Sequence, residues 1–173
     1  MEKMTTRTAT IEDLPRIVEI YNLSIPGRLA TADTETVSVD SREEWFYQHS
    51  ENHRPLRVAE RNGTIYGWLS FQSFYGRPAY VGTAELSIYI DPTMQGKGLG
   101  RLFLKLAIED CSRLKIKTLL GFIFGHNKTS LKLFNQFDFE TWGLLPNVAE
   151  LDGIERDLII VGRKVSEIKE ALV

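Results

Sequence analysis

The sequence predicts an α/β fold in one domain over residues 1–173, a central mixed sheet of about seven strands flanked by about four helices. Three observations carry that prediction. Two β-type segments, Leu56–Glu60 and Ile65–Phe71, flank Asn62-Gly63, the dipeptide of a two-residue hairpin turn. From mid-chain onward, strand-like and helix-like runs alternate, so hairpins come first and strand–helix–strand units follow. At 173 residues and 43% hydrophobic, the chain can bury one substantial core, and no repeat, low-complexity tract or linker divides it.

The elements follow in order. Thr5–Ala9 reads as a short first strand. Thr10-Ile11-Glu12-Asp13 resembles a capping box and opens a helix whose apolar residues Leu14, Ile17, Val18 and Tyr21 fall at helical spacing. Ile25–Asp40 is rich in Thr, Asp, Gly and Pro and reads as a long loop. A second helix, Ser41–His49, follows Asp40 as its cap. After the hairpin and the bend Tyr75-Gly76-Arg77-Pro78, Gly82–Ile90 forms the next strand. The helix Arg101–Arg113 carries Leu102, Phe103, Leu106, Ala107 and Cys111 on its apolar face. Thr118–Phe124 is an apolar strand and Lys128–Gln136 a helix, and Phe139–Leu145 and Leu158–Gly162 supply the last two strands.

Composition removes several function classes. The net charge is −2 and no basic block occurs, which argues against nucleic acid or an anionic membrane as partner. A single cysteine, Cys111, rules out an internal disulfide and a cysteine-rich zinc site, and it reads as core. His49, His53 and His126 are too sparsely accompanied for a metal centre, so no metal is expected. No window approaches a membrane span, and the N-terminus lacks the apolar core of a signal peptide; the expectation is a cytoplasmic protein.

The most informative stretch runs from Ile88 to Arg101. A strand meets a proline turn, and Gln95-Gly96-Lys97-Gly98-Leu99-Gly100 opens directly into a helix. Such a junction leaves backbone N–H groups unpaired at the positive end of a helix dipole, and glycines let that backbone approach a bulky anion. A pyrophosphate is the expected ligand, although the glycines alone also allow no more than a turn. A Walker loop is excluded because Gly98 follows Lys97 where Ser or Thr is required. A dinucleotide loop fits poorly: the motif lies mid-chain, and Lys115-Ile116-Lys117 stands where an acidic residue belongs. The pattern Gln-x-x-Gly-x-Gly, met by Gln95, Gly98 and Gly100, is the pyrophosphate loop of acetyltransferases of the GNAT superfamily, which this stretch resembles.

Upstream, Thr83–Ile90 alternates strictly, with Glu85, Ser87 and Tyr89 on one face and Leu86, Ile88 and Ile90 on the other. A glutamate within an apolar strand is costly unless it is paired or faces a wet cavity. A solvated strand face satisfies this pattern; so does a general base placed about ten residues before the loop. Downstream, Asn127-Lys128-Thr129-Ser130 followed by Phe137-Asp138-Phe139 is similar to the Asn-x-x-Ser…Gly-Phe segment of GNAT enzymes. From about Thr5 to Gly162 the chain resembles the phosphinothricin and methionine sulfoximine N-acetyltransferase branch, through Ile20-Tyr21-Asn22, Thr31–Glu35, Arg77–Tyr80 and Thr83–Tyr89.

The resemblance implies the GNAT fold and an acetyl-CoA-dependent N-acetyltransferase that acts on the α-amino group of a small amino acid or analogue. Glu85 would be the general base, directly or through a water. Main-chain groups of Ile88, Tyr89 and Ile90 would contact acetyl-CoA, Gly96, Lys97, Gly98, Leu99, Gly100 and Arg101 would hold its pyrophosphate, and Asn127 its pantetheine arm. Tyr75, Gly76 and Arg77, with Glu85, Leu86 and Ser87, would line the amino-acid site. A guanidinium suits a carboxylate partner, although the residues alone also allow an exposed turn arginine at Arg77. Of the aromatic residues Trp68, Phe71, Phe74, Tyr75 and Tyr80, most are expected in the core and part of them on the wall of the acceptor pocket. A homodimer with the acceptor site near its interface is also implied.

Two departures stand out. The family's tyrosine that protonates the departing thiolate is missing from the helix after Asn127, where Leu133-Phe134 offer no hydroxyl, and no general acid is assigned. Asp138 stands where the family has glycine, which alters a turn. The competing functions are acetylation of another amine, such as a peptide N-terminus or a polyamine, and a catalytically silent acyl-CoA-binding sensor.

Overall fold

Asn62 and Gly63 both adopt left-handed backbone, at φ +54° and +73°, and so close the hairpin between β2 (Leu56–Arg61) and β3 (Thr64–Ser73). In the computed structural model, which describes residues 3–165, this hairpin is the start of a seven-stranded sheet. The other strands are β1 (Thr5–Thr8), β4 (Thr83–Ile90), β5 (Thr118–Phe124), β6 (Glu140–Leu151) and β7 (Ile154–Lys164). Their order is β1-β2-β3-β4-β5-β7-β6, and only the neighbours β4 and β5 run parallel.

Helices α1 (Leu14–Ser24) and α2 (Glu43–Tyr47) cover one face of the sheet, and α3 (Leu99–Arg113) and α4 (Lys128–Asn135) the other. The alternation of the strands decides which residues go where. Trp68 on β3 packs with Ile17, Ile20, Leu56 and Val58 beneath α1, whereas Leu69, Phe71, Ala84 and Leu86 pack against Phe103, Leu104 and Ala107 of α3. Cys111 is fully buried within that second core, as expected of a small apolar residue. Asp13 accepts a hydrogen bond from the Thr10 backbone N–H at 2.8 Å, the reciprocal half of the predicted capping box.

Three elements differ from expectation. The second helix is only Glu43–Tyr47, behind a 3-10 turn at Asp40–Arg42, and the group that takes up a free amide there is the Ser38 hydroxyl, which accepts from Ser41 N–H, rather than Asp40. The last two strands form one long hairpin, turning at Asp152 and Gly153 with φ +52° and +76°. Pro146 and Asn147 interrupt its pattern, since the register shifts between Leu145 and Ala149 and Asn147 is left-handed. Finally, Tyr75 and Tyr80 are exposed rather than core, at 76% and 41%. Asp138 sits at φ +58°, a left-handed turn position that explains a glycine preference and that Asp tolerates better than most residues. Among the described residues no helix is long and apolar enough to cross a membrane.

Candidate active site

The site begins with a fault in the sheet. β4 and β5 pair only through Thr83, Ala84 and Glu85 with Thr118, Leu119 and Leu120. Beyond that point β5 continues to pair with β7 as far as Phe124, and β4 with β3 as far as Ile90, but not with each other. The edge of β4 that includes Ile88, Tyr89 and Ile90 therefore offers backbone groups without a strand partner on the β5 side. Such a gap, at the carboxyl ends of parallel strands, is where open sheets receive ligands.

Both strands leave the gap for a helix N-terminus. After β4, Asp91 anchors the turn: it accepts from the N–H and hydroxyl of Thr93 and from Arg16, and although burial alone would raise its pKa, these bonds hold it below the usual carboxylate value. Gly96 and Gly98 then take φ +72° and +86°, a backbone that a side chain would strain. The first intrahelical bond is from Leu102 N–H to Gly98 O at 3.1 Å. Among the described residues the amides of Leu99, Gly100 and Arg101 thus lack acceptors, as do those of Gly96 and Gly98, while Lys97 N–H is used by the turn, on Met94 O. These five amides lie at or just before the positive end of a 15-residue helix, a cradle-like arrangement that suits an anion. The Arg101 guanidinium turns away from it, to Gln136 at 2.6 Å and the Phe137 ring. After β5, Asn127 accepts from Ser130 N–H as the cap of α4 and donates to Leu29 O at 3.1 Å, so its side chain holds the 25–40 loop over the gap and keeps one N–H for a ligand.

On the α1–α2 face the strand register brings three pairs into rows: Gln72 opposite Glu85, Ser70 opposite Ser87, and Trp68 opposite Tyr89. Glu85 is half-buried at the last position where β4 still pairs with β5, and its carboxylate has no hydrogen bond or ion pair among the described residues. Burial raises its pKa, which improves it as a proton acceptor near neutral pH. Beside it opens a cavity of ≈ 160 Å³ walled by Tyr21, Trp45, Trp68 and Tyr89, with Ser70, Gln72 and Ser87 along the sheet and Arg42 opposite. Trp68 and Tyr89 stack at 4.6 Å, and the Arg42 guanidinium lies 5.0 Å from the Tyr21 ring and 2.9 Å from Asp33. The 25–40 loop roofs the region, held by Tyr89 hydroxyl to Ala30 O, by His126 to Arg28 O and by the Arg28–Asp152 ion pair.

The expected residues are thus brought together unevenly. Glu85 and Ser87 share one face of β4, but Ser87 lines the cavity and Glu85 stands just outside its lining, and the Leu86 side chain is buried against α3, so only its backbone can meet an acceptor. Tyr75, Gly76 and Arg77 form an exposed bend outside the cavity lining, and the Arg77 guanidinium has no partner among the described residues. Trp68 does wall the cavity. Tyr21, Arg42 and Trp45 carry no site signal in the sequence: helical spacing alone accounts for Tyr21, Arg42 lies in a 3-10 turn, and Trp45 in a helix too short for a periodic signal. The resembling segment Thr31–Glu35 was the available pointer, since Thr31 and Asp33 both bond the Tyr21 hydroxyl. Among the described residues no group of three or more His, Cys, Asp or Glu could hold a metal ion.

A protein of Bacillus subtilis (strain 168) provisionally named phosphinothricin acetyltransferase YwnH is 52% identical over 164 residues, 94% of this chain and 100% of its own length. The L-methionine sulfoximine/L-methionine sulfone acetyltransferase of Salmonella typhimurium (strain LT2) is 30% identical, covering 95% of this chain and 96% of its own. The crystal structure of a GNAT superfamily phosphinothricin acetyltransferase from Sinorhizobium meliloti, in complex with acetyl-CoA, superposes with a TM-score of 0.89 at 29% identity, covering 96% of this chain and 90% of its own. The model of the acetyltransferase (GNAT) family matches residues 15–139, a span that runs from α1 through the cradle to the end of α4, and the chain belongs to that family.

Proposed function

We propose that this chain is an acetyl-CoA-dependent N-acetyltransferase for the α-amino group of a small amino acid or analogue of the phosphinothricin or methionine sulfoximine type. The observation that carries the reading is Glu85: a half-buried carboxylate with a raised pKa and no partner among the described residues, at the mouth of the β4–β5 gap and near a small, partly open cavity. Acetyl-CoA would supply the acetyl thioester. The five free amides of Gly96, Gly98, Leu99, Gly100 and Arg101 suit its pyrophosphate, and the open edge of β4 at Ile88–Ile90 and the remaining N–H of Asn127 suit the pantetheine amides. A primary amine is mostly protonated at neutral pH, and Glu85 takes its proton, directly or through one water, so that the lone pair can attack the acyl carbon.

A cavity of only ≈ 160 Å³ suits the side chain of a small acceptor better than a peptide, which needs a long groove. Arg77 remains the candidate partner of the acceptor's carboxylate, from the bend outside the cavity. The reading includes a homodimer: β6 is an edge strand that exposes Trp142 at 44%, Leu144 at 56% and Val148 at 57%, an apolar edge of the kind a second subunit covers. The deciding experiment is thiol release from acetyl-CoA with a panel of amino acids that includes methionine sulfone, methionine sulfoximine and phosphinothricin. Turnover with members of that panel is expected. Tight acetyl-CoA binding without turnover on any amine would replace the enzyme by an acyl-CoA sensor.

A further inference from the structure

Asp91 divides its carboxylate between the turn after β4 and a helix on the face of the sheet away from α3. Its Oδ1 accepts from the Thr93 backbone N–H at 2.8 Å and from the Thr93 hydroxyl at 2.5 Å. Its Oδ2 accepts from Arg16 Nη2 of α1, also at 2.5 Å. The Asp91 side chain is 8% exposed and that of Arg16 26%, so water screens this pair poorly. The main chain continues what the carboxylate begins. Asp91 N–H donates to Tyr66 O at 2.8 Å, Met94 N–H to Asp91 O at 2.8 Å, and Lys97 N–H to Met94 O at 3.3 Å. Gly96 and Gly98, whose amides have no acceptor among the described residues, stand on either side of that last bond. Their direction is thus set by a chain of bonds that starts at Asp91.

Arg16 gives Asp91 more than a counter-charge. Its Nε donates to Ile65 O at 3.1 Å, at the start of β3, and its Nη1 to Glu19 at 2.7 Å. The planar fork is therefore fixed against the sheet before it meets the carboxylate, and it holds Oδ2 so that Oδ1 faces Thr93. A lysine supplies the charge but not both bonds in that plane. The pairing also balances a negative charge in the turn that leads to an anion site, where a bare carboxylate would be adverse. Amides held in place before the ligand arrives lose little freedom on binding it, whereas a loosened turn must be ordered at the expense of affinity.

We propose that Arg16 is a positioning residue for the cofactor: acting through Asp91 and Thr93, it holds the turn that aims the amides of Gly96, Gly98, Leu99, Gly100 and Arg101, and so sets the affinity for the pyrophosphate of acetyl-CoA without touching it. The inference rests on the acetyl-CoA reading of that loop given above.

Calorimetry of CoA with the full chain reads the affinity directly, and its fitted stoichiometry counts the folded molecules, so that a partly unfolded variant does not imitate a weakened one. Arg16→Met keeps the stem and removes the fork, and it should weaken CoA binding at least about fivefold. Asp91→Asn should weaken it by a similar factor, because an amide has one oxygen and can serve Thr93 or Arg16 but not both. The double variant should bind no more than about twofold weaker than the worse single one, since both changes act on one turn; effects that multiply overturn the relay. Should Arg16→Met not fold, Arg16→Lys takes its place in the cycle, with a loss of at least about threefold. Kinetics then separate positioning from general stability. The ratio of kcat/KM for acetyl-CoA to that for S-acetylpantetheine, which has the same thioester but no pyrophosphate, should fall at least about fivefold in Arg16→Met. A ratio equal to that of wild type, or an unchanged CoA affinity, overturns the proposal. If the wild type binds CoA but acetylates no amine, the enzyme reading fails while the calorimetric cycle still decides Arg16; if it binds no CoA, both fall.

Discussion

Glu85→Gln separates catalysis from structure in this molecule, because the glutamate has nothing in the protein to lose. It makes no ion pair or hydrogen bond among the described residues, and its cross-strand neighbour is the neutral Gln72. The substitution keeps the shape of the side chain and removes only the base. General-base catalysis contributes about 10²- to 10⁴-fold, and at about 1.4 kcal/mol per factor of ten this adds roughly 3–5 kcal/mol to the barrier. Folding moves the other way. Burial raises the Glu85 pKa above its ordinary 4.5, so the folded state favours the protonated carboxyl. That favourable contribution is complete below the unfolded pKa and lost as pH rises through the raised value, which leaves the wild type at neutral pH with the cost of a desolvated carboxylate. The variant should therefore melt no lower than wild type at pH 7, and a gain of about 1 kcal/mol would appear as roughly 2–4 °C. In the wild type the deprotonated form is active, so kcat/KM should rise with pH through an acid limb above 4.5, and that limb should vanish in the variant. Thiol-release kinetics across pH, calorimetry of CoA and a thermal melt read all three. A kcat within tenfold of wild type, with the acid limb still in place, would refute Glu85 as the base; lost CoA binding would show that the residue holds the gap open instead.

Three further outcomes are expected. Gly98→Ala meets open space but must hold φ +86°, so a strain of about 1–2 kcal/mol should weaken CoA binding about 5- to 30-fold by calorimetry. Arg77→Ala removes an exposed guanidinium without a partner among the described residues; stability should stay within about 0.5 kcal/mol, while KM for the amino acid rises and kcat is kept, and an unchanged KM would return Arg77 to the role of a surface residue. Leu144→Asp places a charge on the exposed apolar edge of β6 and should convert a dimer to a folded monomer in sedimentation velocity, an outcome that a wild-type monomer would make impossible.

What the sequence reveals here depends on how local the cause is. The Asn62-Gly63 turn, the alternation around Glu85 and the glycines at 96 and 98 each express backbone geometry within a few residues, and each stands where the pattern puts it. The β6–β7 hairpin is cut short in the reading because Pro146 and Asn147 imitate an ending, whereas they form an irregularity within a longer edge strand. The parting of β4 from β5 leaves no local trace: both segments are strand-like throughout, and only the three-residue register shows where pairing stops. The same holds for Arg42. Its place on the cavity wall depends on α2 and on Asp33, nine positions away across an irregular loop. Ser70 reads as one polar residue in an apolar strand until its hydroxyl is seen to be buried and unpaired.

The missing hydroxyl on α4 has a structural reason and a chemical consequence. A Cβ on Gly100 would lie 2.7 Å from Leu133 Cδ2, so the glycine of the cradle is also what lets α4 approach α3 so closely. Phe134 is buried against Phe139, at 4.9 Å between ring centres, and fills the space over Gly121, where an added Cβ would lie 3.0 Å from its ring. A tyrosine at 134 would carry its hydroxyl into that contact, and without a partner there the burial would cost about 1–3 kcal/mol. Packing thus holds positions 133 and 134 apolar. A thiol with a pKa of about 8.5 leaves as thiolate far more readily than an alkoxide leaves, so acyl transfer from a thioester does not require an acid at sulfur. The amine does require a base, since its protonated form has no lone pair for attack. On the proposed reading, with no hydroxyl at 133 or 134, the proton transfer asked of the protein is the one on the acceptor side of the gap, where Glu85 stands in the row beside Ser70 and Ser87.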